Sequence, residues 1–316
     1  MIITVTLNPA LDRTLYVDSA LVPGDYNVAS RTSVEPGGKG INVSRAIRAF
    51  GGKSVALGFS AGSNGRFMKD ALTSADIHHD FVDVPGETRV NTQIIDIKAD
   101  PTTINERGFA ISAPHYERFL ERVESYLAPE NIFVISGSVP VDFTVENFRR
   151  LCKKIKKAGC RLIVNVSGAF LDEALAQQPD YVKQTKAELY RYLGRPVEND
   201  PEQIAKDAMI LLERGAKAVA ISLEHDGAVF LSPADKEAIY VVCNPKIYNE
   251  AAIGTGDAMV AAIANGMEKG FEYCELCKFA HASSRAAAKL PGTMMPTLSE
   301  VFRVQETLEV YTIFTM

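Results

Sequence analysis

The sequence predicts an α/β fold in which helices flank a doubly wound, mostly parallel β-sheet, with a smaller sheet beside it. Apolar runs of roughly four to eight residues recur along the chain, separated by segments of helical periodicity. Several runs are apolar on both faces, as expected for strands of a parallel sheet that is covered on both sides. Two other regions alternate polar and apolar residues, which is typical of half-exposed strands. Strand–helix alternation with right-handed crossovers favours the doubly wound class.

The large sheet takes its strands from the apolar runs. These are Ile2–Leu7, Val55–Phe59, Ile132–Ser136, Leu162–Val166, Tyr181–Lys183 and Val219–Leu223. Gly227–Ser232 and Ala238–Val242 predict a hairpin added to that sheet. The helices follow from apolar residues that recur every three or four positions. We assign them to Ile41–Phe50, Thr144–Ala158, Pro201–Arg214, Asp257–Lys269 and Tyr273–Leu290.

The small sheet is predicted from two separate stretches, about residues 11–34 and 81–111. The second stretch contains F-V-D-V, T-R-V-N-T-Q-I-I-D-I and T-T-I-N-E-R-G, which alternate in the way that half-exposed strands do. We expect these segments to form a lid over a cleft, within one domain that spans residues 1–316.

Composition excludes several classes of function. The net charge is −5, so bulk electrostatics gives no reason to expect nucleic acid as a partner. The odd number of cysteines, five, does not indicate a disulfide framework, and Cys274-x-x-Cys277 has no second pair to complete a zinc site. The sequence shows neither a signal-type leader nor a membrane-spanning apolar run. We therefore expect a cytoplasmic protein with no membrane partner.

The segment G-T-G-D, Gly254 to Asp257, is the strongest indication of chemistry. Glycines at a helix start let free backbone N–H groups approach a phosphate closely. A carboxylate beside such a phosphate can accept a proton from an attacking hydroxyl. The pattern favours phosphoryl transfer with Asp257 as general base; an ordinary N-cap aspartate is the alternative.

A second glycine segment, Gly37-Gly38-Lys39-Gly40, leads into Asn42 and suits an anionic, hydroxyl-rich ligand. It is neither a Walker A loop nor a dinucleotide fingerprint, and an exposed turn is the alternative. Polar residues that could complete a sugar-phosphate site follow other predicted strands or lie in the lid. They are Asp12 for sugar hydroxyls, Arg89 for a phosphate, and Ser138. The alternative is a turn aspartate for Asp12 and a solvated edge-strand arginine for Arg89.

Together these segments resemble the PfkB, or ribokinase-like, family of sugar kinases. The resemblance rests on L-N-P-A-L-D, G-G-K-G-I-N-V-S-R-A-I, T-R-V-N, S-G-S-V-P and G-T-G-D-A-M-V-A-A, in this order over almost the whole chain. The nearest branch is that of 1-phosphofructokinase and tagatose-6-phosphate kinase. A ribokinase-like fold with a β-sheet lid is implied, and in relatives such a lid often forms a homodimer interface.

The resemblance also implies roles for residues. Asp257 would be the base, and the N–H groups of Gly254, Thr255 and Gly256 the anion hole. Substrate binding would fall to Asp12, Gly37, Gly38, Lys39, Asn42, Arg89 and Ser138, with Lys39 and Arg89 on the phosphate already present. ATP with Mg²⁺ would be the donor. Its side of the site would comprise Lys183, Glu188, Ser222, Glu224, Gly227, Gly254 and Gly256, with Glu188 acting indirectly on the metal.

Four departures from the family pattern lie on the nucleotide and metal side. Relatives carry K-P-N-x-x-E, D-x-S-G and S-L-G-x-x-G, where this chain has Thr185 for asparagine, Asn165 for aspartate and Glu224 for glycine. Ala252 replaces a small hydroxyl residue before the anion-hole loop. These departures motivate an alternative to a ketohexose-phosphate kinase: a catalytically impaired sugar-phosphate sensor or scaffold. A kinase for a nucleoside or an unphosphorylated sugar is a third hypothesis, disfavoured by Lys39 and Arg89.

Overall fold

The computed structural model describes residues 1–97, 101–243 and 253–315. The strands of these ranges are β1 Ile2–Thr6, β2 Ala10–Tyr16, β3 Arg31–Gly37, β4 Ser54–Ala61, β5 His78–Val84, β6 Arg89–Ile95, β7 Thr102–Asn105, β8 Ile132–Ser136, β9 Arg161–Asn165, β10 Tyr181–Thr185, β11 Val219–Ser222, β12 Ala228–Ser232, β13 Glu237–Cys243 and β14 Leu308–Thr315. The helices are α1 Lys39–Ala49, α2 Gly62–Ser74, α3 Ala113–Glu124, α4 Val145–Lys157, α5 Ala169–Leu175, α6 Lys186–Leu193, α7 Pro201–Glu213, α8 Thr255–Lys269, α9 Tyr273–Ala287 and α10 Leu298–Gln305.

Ten of these strands form one sheet in the order β14-β13-β12-β11-β10-β9-β8-β1-β4-β5. Pairing is parallel from β5 to β11 and antiparallel from β11 to β14. The predicted α/β class and the mostly parallel sheet are confirmed. The predicted hairpin is present as β12 and β13.

Helices cover both faces of the sheet because its strands are apolar on both sides. In β1, Ile3 and Val5 belong to the core beneath α3 to α7, whereas Ile2 belongs to the core beneath α8, α9 and α10. Because the central strands are parallel, their carboxyl ends meet at one edge of the sheet, where an open α/β sheet binds ligands. Across the described ranges, no helix is long and apolar enough to cross a membrane.

The smaller sheet, which we call the lid, has the strand order β3-β2-β6-β7. Its register aligns Asp12 with Glu35 and with Asn91, and Asn91 with Asn105, so these side chains share one face. On each strand, the next residue on the same face is also polar, and all of these residues line the central cleft. The small sheet expected from the sequence is thus present.

One part of the lid prediction is wrong. Phe81–Val84 does not join the lid but forms the end of β5, which pairs in parallel with β4 at the edge of the large sheet. An edge strand is half exposed, so its residues alternate in the same way as those of a lid strand. Residues 98–100 of the proposed lid stretch, and Ala252, lie outside the described residues.

Candidate active site

A cleft of about 600 Å³ lies between the lid and the carboxyl ends of the parallel strands. It collects residues that are far apart in the chain. Of the predicted site residues, those that line it are Asp12, Gly38, Lys39, Asn42, Arg89, Ser138, Lys183, Glu188, Gly254, Gly256 and Asp257. The sequence-predicted substrate and nucleotide sides therefore share one cavity.

The start of α8 forms one wall of this cavity. Gly254 is the N-cap, and its φ of 81° lies in the left-handed region that favours glycine. Asp257 follows in the first helical turn, where unpaired N–H groups carry partial positive charge. Its side chain is buried, only 6% exposed. Burial raises its pKa to about 6, while Lys39 is the strongest opposing influence. A carboxyl group with such a pKa is suited to accept a proton near neutral pH.

Lys183, on β10, is a buried cation beside the start of α8. A Cβ placed on Gly256 would lie 2.9 Å from its Nζ atom, so glycine at 256 leaves room for the ammonium group. Burial lowers the pKa of Lys183 to about 8, and the attraction of Glu188 and Asp257 limits that fall. The helix start and Lys183 together form a place for negative charge.

Asn42 links α1 to Asp257. Its Nδ2 atom donates a hydrogen bond to Asp257 Oδ2 at 2.9 Å. The chain reaches this position through Gly38, whose φ is 104° and whose Cβ would lie 2.8 Å from Thr6 Cγ2. A side chain at position 38 would therefore be excluded by both conformation and contact.

Asp12 lies on the face of the lid that lines the cleft, close enough to Asp257 to influence its charge. Its Oδ1 atom accepts a hydrogen bond from Asn91 Nδ2 at 2.9 Å. Burial raises its pKa, and Asn91, Arg45 and Arg89 oppose the rise. A Cβ on Gly37 would lie 2.2 Å from Asp12 Oδ2, so Gly37 acts by making space and does not itself line the cleft.

Arg89 lies at the base of the lid beside Ser138. Its NH2 group donates to Ser138 Oγ at 3.2 Å and to the Asn8 carbonyl at 3.2 Å, and NH1 donates to the Glu106 carbonyl. Asn8 in turn donates to the Arg107 and Val139 carbonyls. These bonds fix the guanidinium plane at the cleft wall, where it can face a phosphate with Ser138.

Lys39 occupies the other end of the cleft. Its Nζ atom lies 3.3 Å from Asn165 Oδ1 and 3.6 Å from Glu188 Oε1. Asn165 also donates to the Lys183 carbonyl at 3.0 Å. The structure thus places Lys39 among residues of the predicted nucleotide side, while Arg89 is bound to Ser138.

Thr185 replaces the family's asparagine without loss of local structure. It caps α6 in a reciprocal capping box: its side chain accepts from the Glu188 N–H, and Glu188 accepts from the Thr185 N–H. Burial raises the pKa of Glu188, but Lys39, the backbone N–H of Thr185 and Lys183 bring it below its usual range. Glu188 is therefore ionised at neutral pH.

Besides Gly37, four predicted site residues lie outside the cleft lining. Thr255 is the first residue of α8. Ser222 ends β11 in register with Thr185, and Glu224 and Gly227 form the turn before β12. Glu224 has a φ of 57°, so this turn keeps the left-handed backbone that glycine would favour.

Sequence reasoning missed a polar cluster at the cleft wall, made by Glu35, Arg45 and Thr293; Glu35 and Thr293 line the cleft, and Arg45 lies behind them. Arg45 NH2 lies 2.7 Å from Glu35 Oε2, and NH1 donates to Thr293 Oγ1 at 2.9 Å. Thr293 donates to Glu35. Arg45 follows the second glycine segment on α1, but its partner Thr293 lies 248 residues away, so no local pattern could reveal the contact.

The donor set is compatible with a magnesium ion that is held mainly by substrate. Among the described residues, no group of three His, Cys, Asp or Glu side chains could hold a metal by itself. Mg²⁺ commonly keeps several waters and takes one or two carboxylates together with nucleotide phosphates. Glu188, which lines the cleft, would supply one such carboxylate indirectly, through the water shell of the ion.

A buried carboxyl group at a glycine-rich helix start, with lysines beside it, defines a phosphotransferase site. The chain matches the pfkB family of carbohydrate kinases over residues 5–300, and it belongs to that family. The resemblance noted in the sequence is confirmed. Carbohydrate kinases of this family use ATP.

Relatives agree with this assignment. The 1-phosphofructokinase of Bacillus subtilis is 32% identical over 288 residues, which cover 91% of this chain and 92% of that protein. Phosphofructokinase-2 from Escherichia coli, in complex with substrates and products, is 28% identical with a TM-score of 0.90, covering 96% and 98% of the two chains. Two further structures of that enzyme, one with fructose-6-phosphate and one a tetrameric inhibited form, each have a TM-score of 0.87. The predicted class, a hexose-phosphate kinase, is confirmed.

The fold extends to a more distant kinase. Arabidopsis thaliana ribokinase, complexed with ribose and ATP, has a TM-score of 0.75 at 21% identity and covers 96% of this chain and 98% of its own. This likeness shows the fold alone, and it confirms the ribokinase-like class.

Proposed function

We propose that this protein transfers the γ-phosphate of ATP to a hydroxyl of a ketohexose monophosphate. The acceptor is fructose 1-phosphate or tagatose 6-phosphate, and the name of the Bacillus subtilis relative favours fructose 1-phosphate. The observation that carries the proposal is the position of Asp257: it is buried at the start of α8 and lines the same cleft as Arg89 and Ser138.

Asp257 acts as general base. It accepts the proton of the acceptor hydroxyl while that oxygen forms its bond to the γ-phosphorus and the bond to the bridging oxygen of ADP breaks. The amides of Gly254, Thr255 and Gly256, with Lys183, stabilise the charge on the transferred group. Mg²⁺ supplies additional charge neutralisation on the donor oxygens when it is bound. Glu188 acts on it indirectly.

The sugar phosphate lies between the lid and α1. Asp12 and Asn42 hold hydroxyls, since both carry polar atoms in the cleft. Gly38 keeps the backbone close, and Gly37 leaves room for the Asp12 carboxyl group. The phosphate already on the sugar is bound by Arg89 and Ser138; Arg89 NH2 lies 3.2 Å from Ser138 Oγ. Lys39 contributes a further positive charge toward the sugar phosphate from the opposite side, where it also borders the transferred phosphoryl group.

The nucleotide lies over the carboxyl ends of β10 and β11. Lys183 and Glu188 border the cleft there, and Ser222 follows on the neighbouring strand. Glu224 and Gly227 shape the turn beyond it. Because Glu224 adds bulk and negative charge to this turn, we expect the affinity for ATP to increase when Glu224 is replaced by glycine.

A coupled ADP-release assay tests the proposal. The panel is fructose 1-phosphate, tagatose 6-phosphate, fructose 6-phosphate, fructose and a nucleoside, each with ATP and Mg²⁺. We expect kcat/KM to be highest for one of the first two and to collapse in Asp257→Asn. Turnover only with unphosphorylated acceptors would refute the phosphate assignment. Calorimetric binding of a sugar phosphate without binding of ATP–Mg²⁺ would instead support the sensor hypothesis.

A homodimer through the lid is the proposed assembly. The face of the lid opposite the cleft contacts the rest of the protein only in part. Apolar residues on this face stay exposed, among them Val34 at 37% and Ile104 at 58% exposure. A second copy would cover this surface. Light scattering should give twice the chain mass for the wild type and the single mass for Ile104→Glu. Phe302→Glu, at an exposed apolar residue on α10, is the control.

A further inference from the structure

We propose that Arg45 is a positioning residue that fixes the Asn42 amide and thereby holds Asp257 in its ionised, proton-accepting form. The inference deepens the proposed function, since it concerns the base of that reaction. It rests on a chain of contacts that runs from the lid to the base. Arg45 itself does not line the cleft, whereas Glu35 and Thr293, which hold it, do.

The first link is the anchoring of Arg45. Its NH2 group donates to Glu35 Oε2 at 2.7 Å, and its NH1 group donates to Thr293 Oγ1 at 2.9 Å and to the Pro36 carbonyl at 3.3 Å. The Thr293 hydroxyl accepts from Arg45 and donates to Glu35, so both of its functions are used. The Arg45 side chain is only 18% exposed and Thr293 only 3%. Burial raises the pKa of Glu35, but the Thr293 and Arg45 hydrogen bonds more than offset it, so Glu35 is an anion at neutral pH.

The second link is the Asn42 amide. Arg45 and Asn42 are three residues apart on α1 and therefore lie on one face of the helix. Arg45 NH1 lies 3.4 Å from Asn42 Oδ1, and Asn42 Nδ2 lies 2.9 Å from Asp257 Oδ2. A guanidinium can only donate and a carboxylate can only accept. Only one of the two amide orientations satisfies both neighbours, so Arg45 selects the orientation that directs an N–H at Asp257.

The third link is the effect on the base. The hydrogen bond from Asn42 favours the charged form of Asp257 against the cost of burial. The other ionisable groups that act on Asp257 are Lys39 from α1, Lys183 from β10 and Asp12 from β2. Without Arg45, the amide can turn its oxygen toward the carboxyl group, which favours the protonated form. Because Glu35 belongs to β3, the same contacts tie the seating of the lid to the state of the base.

The test is a carbon-13 NMR titration of the Asp257 carboxyl in the ligand-free enzyme, with the signal assigned through Asp257→Asn. We expect Arg45→Met to raise the pKa of Asp257 by about one unit, the size of one hydrogen bond to a charged group. Arg45→Lys, which keeps charge and bulk but not the fork, should raise it by less. The matched control is Arg48→Met, which removes a surface ion pair with Asp76 from the next turn of α1.

A double mutant separates positioning from direct electrostatics. In an Asn42→Ala background, Arg45→Met should change the pKa of Asp257 by less than about 0.3 unit, since the amide that Arg45 orients is gone. An unchanged pKa in folded Arg45→Lys and Arg45→Met would overturn the inference, as would a full shift in the Asn42→Ala background. The titration needs no turnover, so its outcome is independent of whether the proposed kinase reaction is correct.

Discussion

Lys183 offers the sharpest test of how the cleft handles charge. Its pKa falls from 10.5 to about 8 because burial disfavours the ammonium form. Keeping that charge in the empty enzyme costs roughly 3 kcal/mol, since one pKa unit corresponds to about 1.4 kcal/mol. The phosphates of ATP would offset this cost on binding. Lys183→Met should therefore stabilise the free protein while it weakens catalysis.

The pH dependence follows from the two shifted groups. Asp257 must lose its proton, with a pKa of about 6, and Lys183 must keep its proton, with a pKa of about 8. For the wild type we expect a bell-shaped profile of kcat/KM, with limbs near these two values. In Lys183→Met the alkaline limb should disappear. The acid limb should move above pH 6, because Lys183 no longer lowers the pKa of Asp257.

The magnitudes can be stated for each assay. A contact that stabilises transition-state charge is worth about 2–4 kcal/mol, so kcat/KM at pH 7 should fall by about 10²–10³-fold in Lys183→Met. Because the pKa of Lys183 is lowered in the folded state, its charge destabilises the folded protein fully below pH 8. This destabilisation is lost as the pH rises from 8 to 10.5. Denaturant unfolding should thus show Lys183→Met to be more stable than wild type by up to about 3 kcal/mol at pH 7, with a smaller gain above pH 8.

Lys186 provides a matched control for this variant. It is also a buried lysine of the same region, but its Nζ atom donates to Asn199 at 2.8 Å and it does not line the cleft. Lys186→Met should keep the bell-shaped profile. The reasoning would be refuted if Lys183→Met retained the alkaline limb, or if its kcat/KM fell no further than that of Lys186→Met.

Three further predictions concern other parts of the cleft. Lys39→Ala should raise KM for the sugar phosphate more than KM for ATP in the coupled assay; a larger effect on ATP would assign Lys39 to the nucleotide, as its contacts with Asn165 and Glu188 allow. Asn165→Asp should increase magnesium-dependent kcat, measured by metal titration, because it restores an anion beside Lys39 on the nucleotide side of the cleft; a decrease would contradict this. Gly254→Ala should lower kcat by at least tenfold in the same assay, since alanine at a φ of 81° is strained by about 1–2 kcal/mol and its Cβ would meet Met295 at 3.0 Å; unchanged turnover would exclude a precise amide geometry.

The sequence was sufficient for the elements whose signals are local. Buried parallel strands such as Ile132–Ser136 are continuous apolar runs, and the structure has that strand with the same bounds. Glycine-rich helix starts located Asp257 and Lys39, because glycines just before a helix are a local signal in the sequence. Eleven of the predicted site residues line the cleft, and their roles stay predictions.

Other features depend on contacts that a pattern does not contain. Phe81–Val84 alternates like a lid strand because the edge of the large sheet is half exposed, and β14, also an edge strand, has the same weak signal and was not predicted. Thr185 counted as a lost asparagine, although the structure shows that it caps α6. The bonds among Glu35, Arg45 and Thr293 join distant segments, so only the fold brings them together.

The central claim is that Asp257 removes the proton from the acceptor hydroxyl during phosphoryl transfer. Rapid-quench single-turnover kinetics of Asp257→Asn, with saturating ATP–Mg²⁺ and the preferred sugar phosphate, tests it directly. We expect the transfer rate to fall by about 10²–10⁴-fold while the Kd for the sugar phosphate changes by no more than a few-fold. A transfer rate within about tenfold of wild type, with normal substrate binding, would contradict the account.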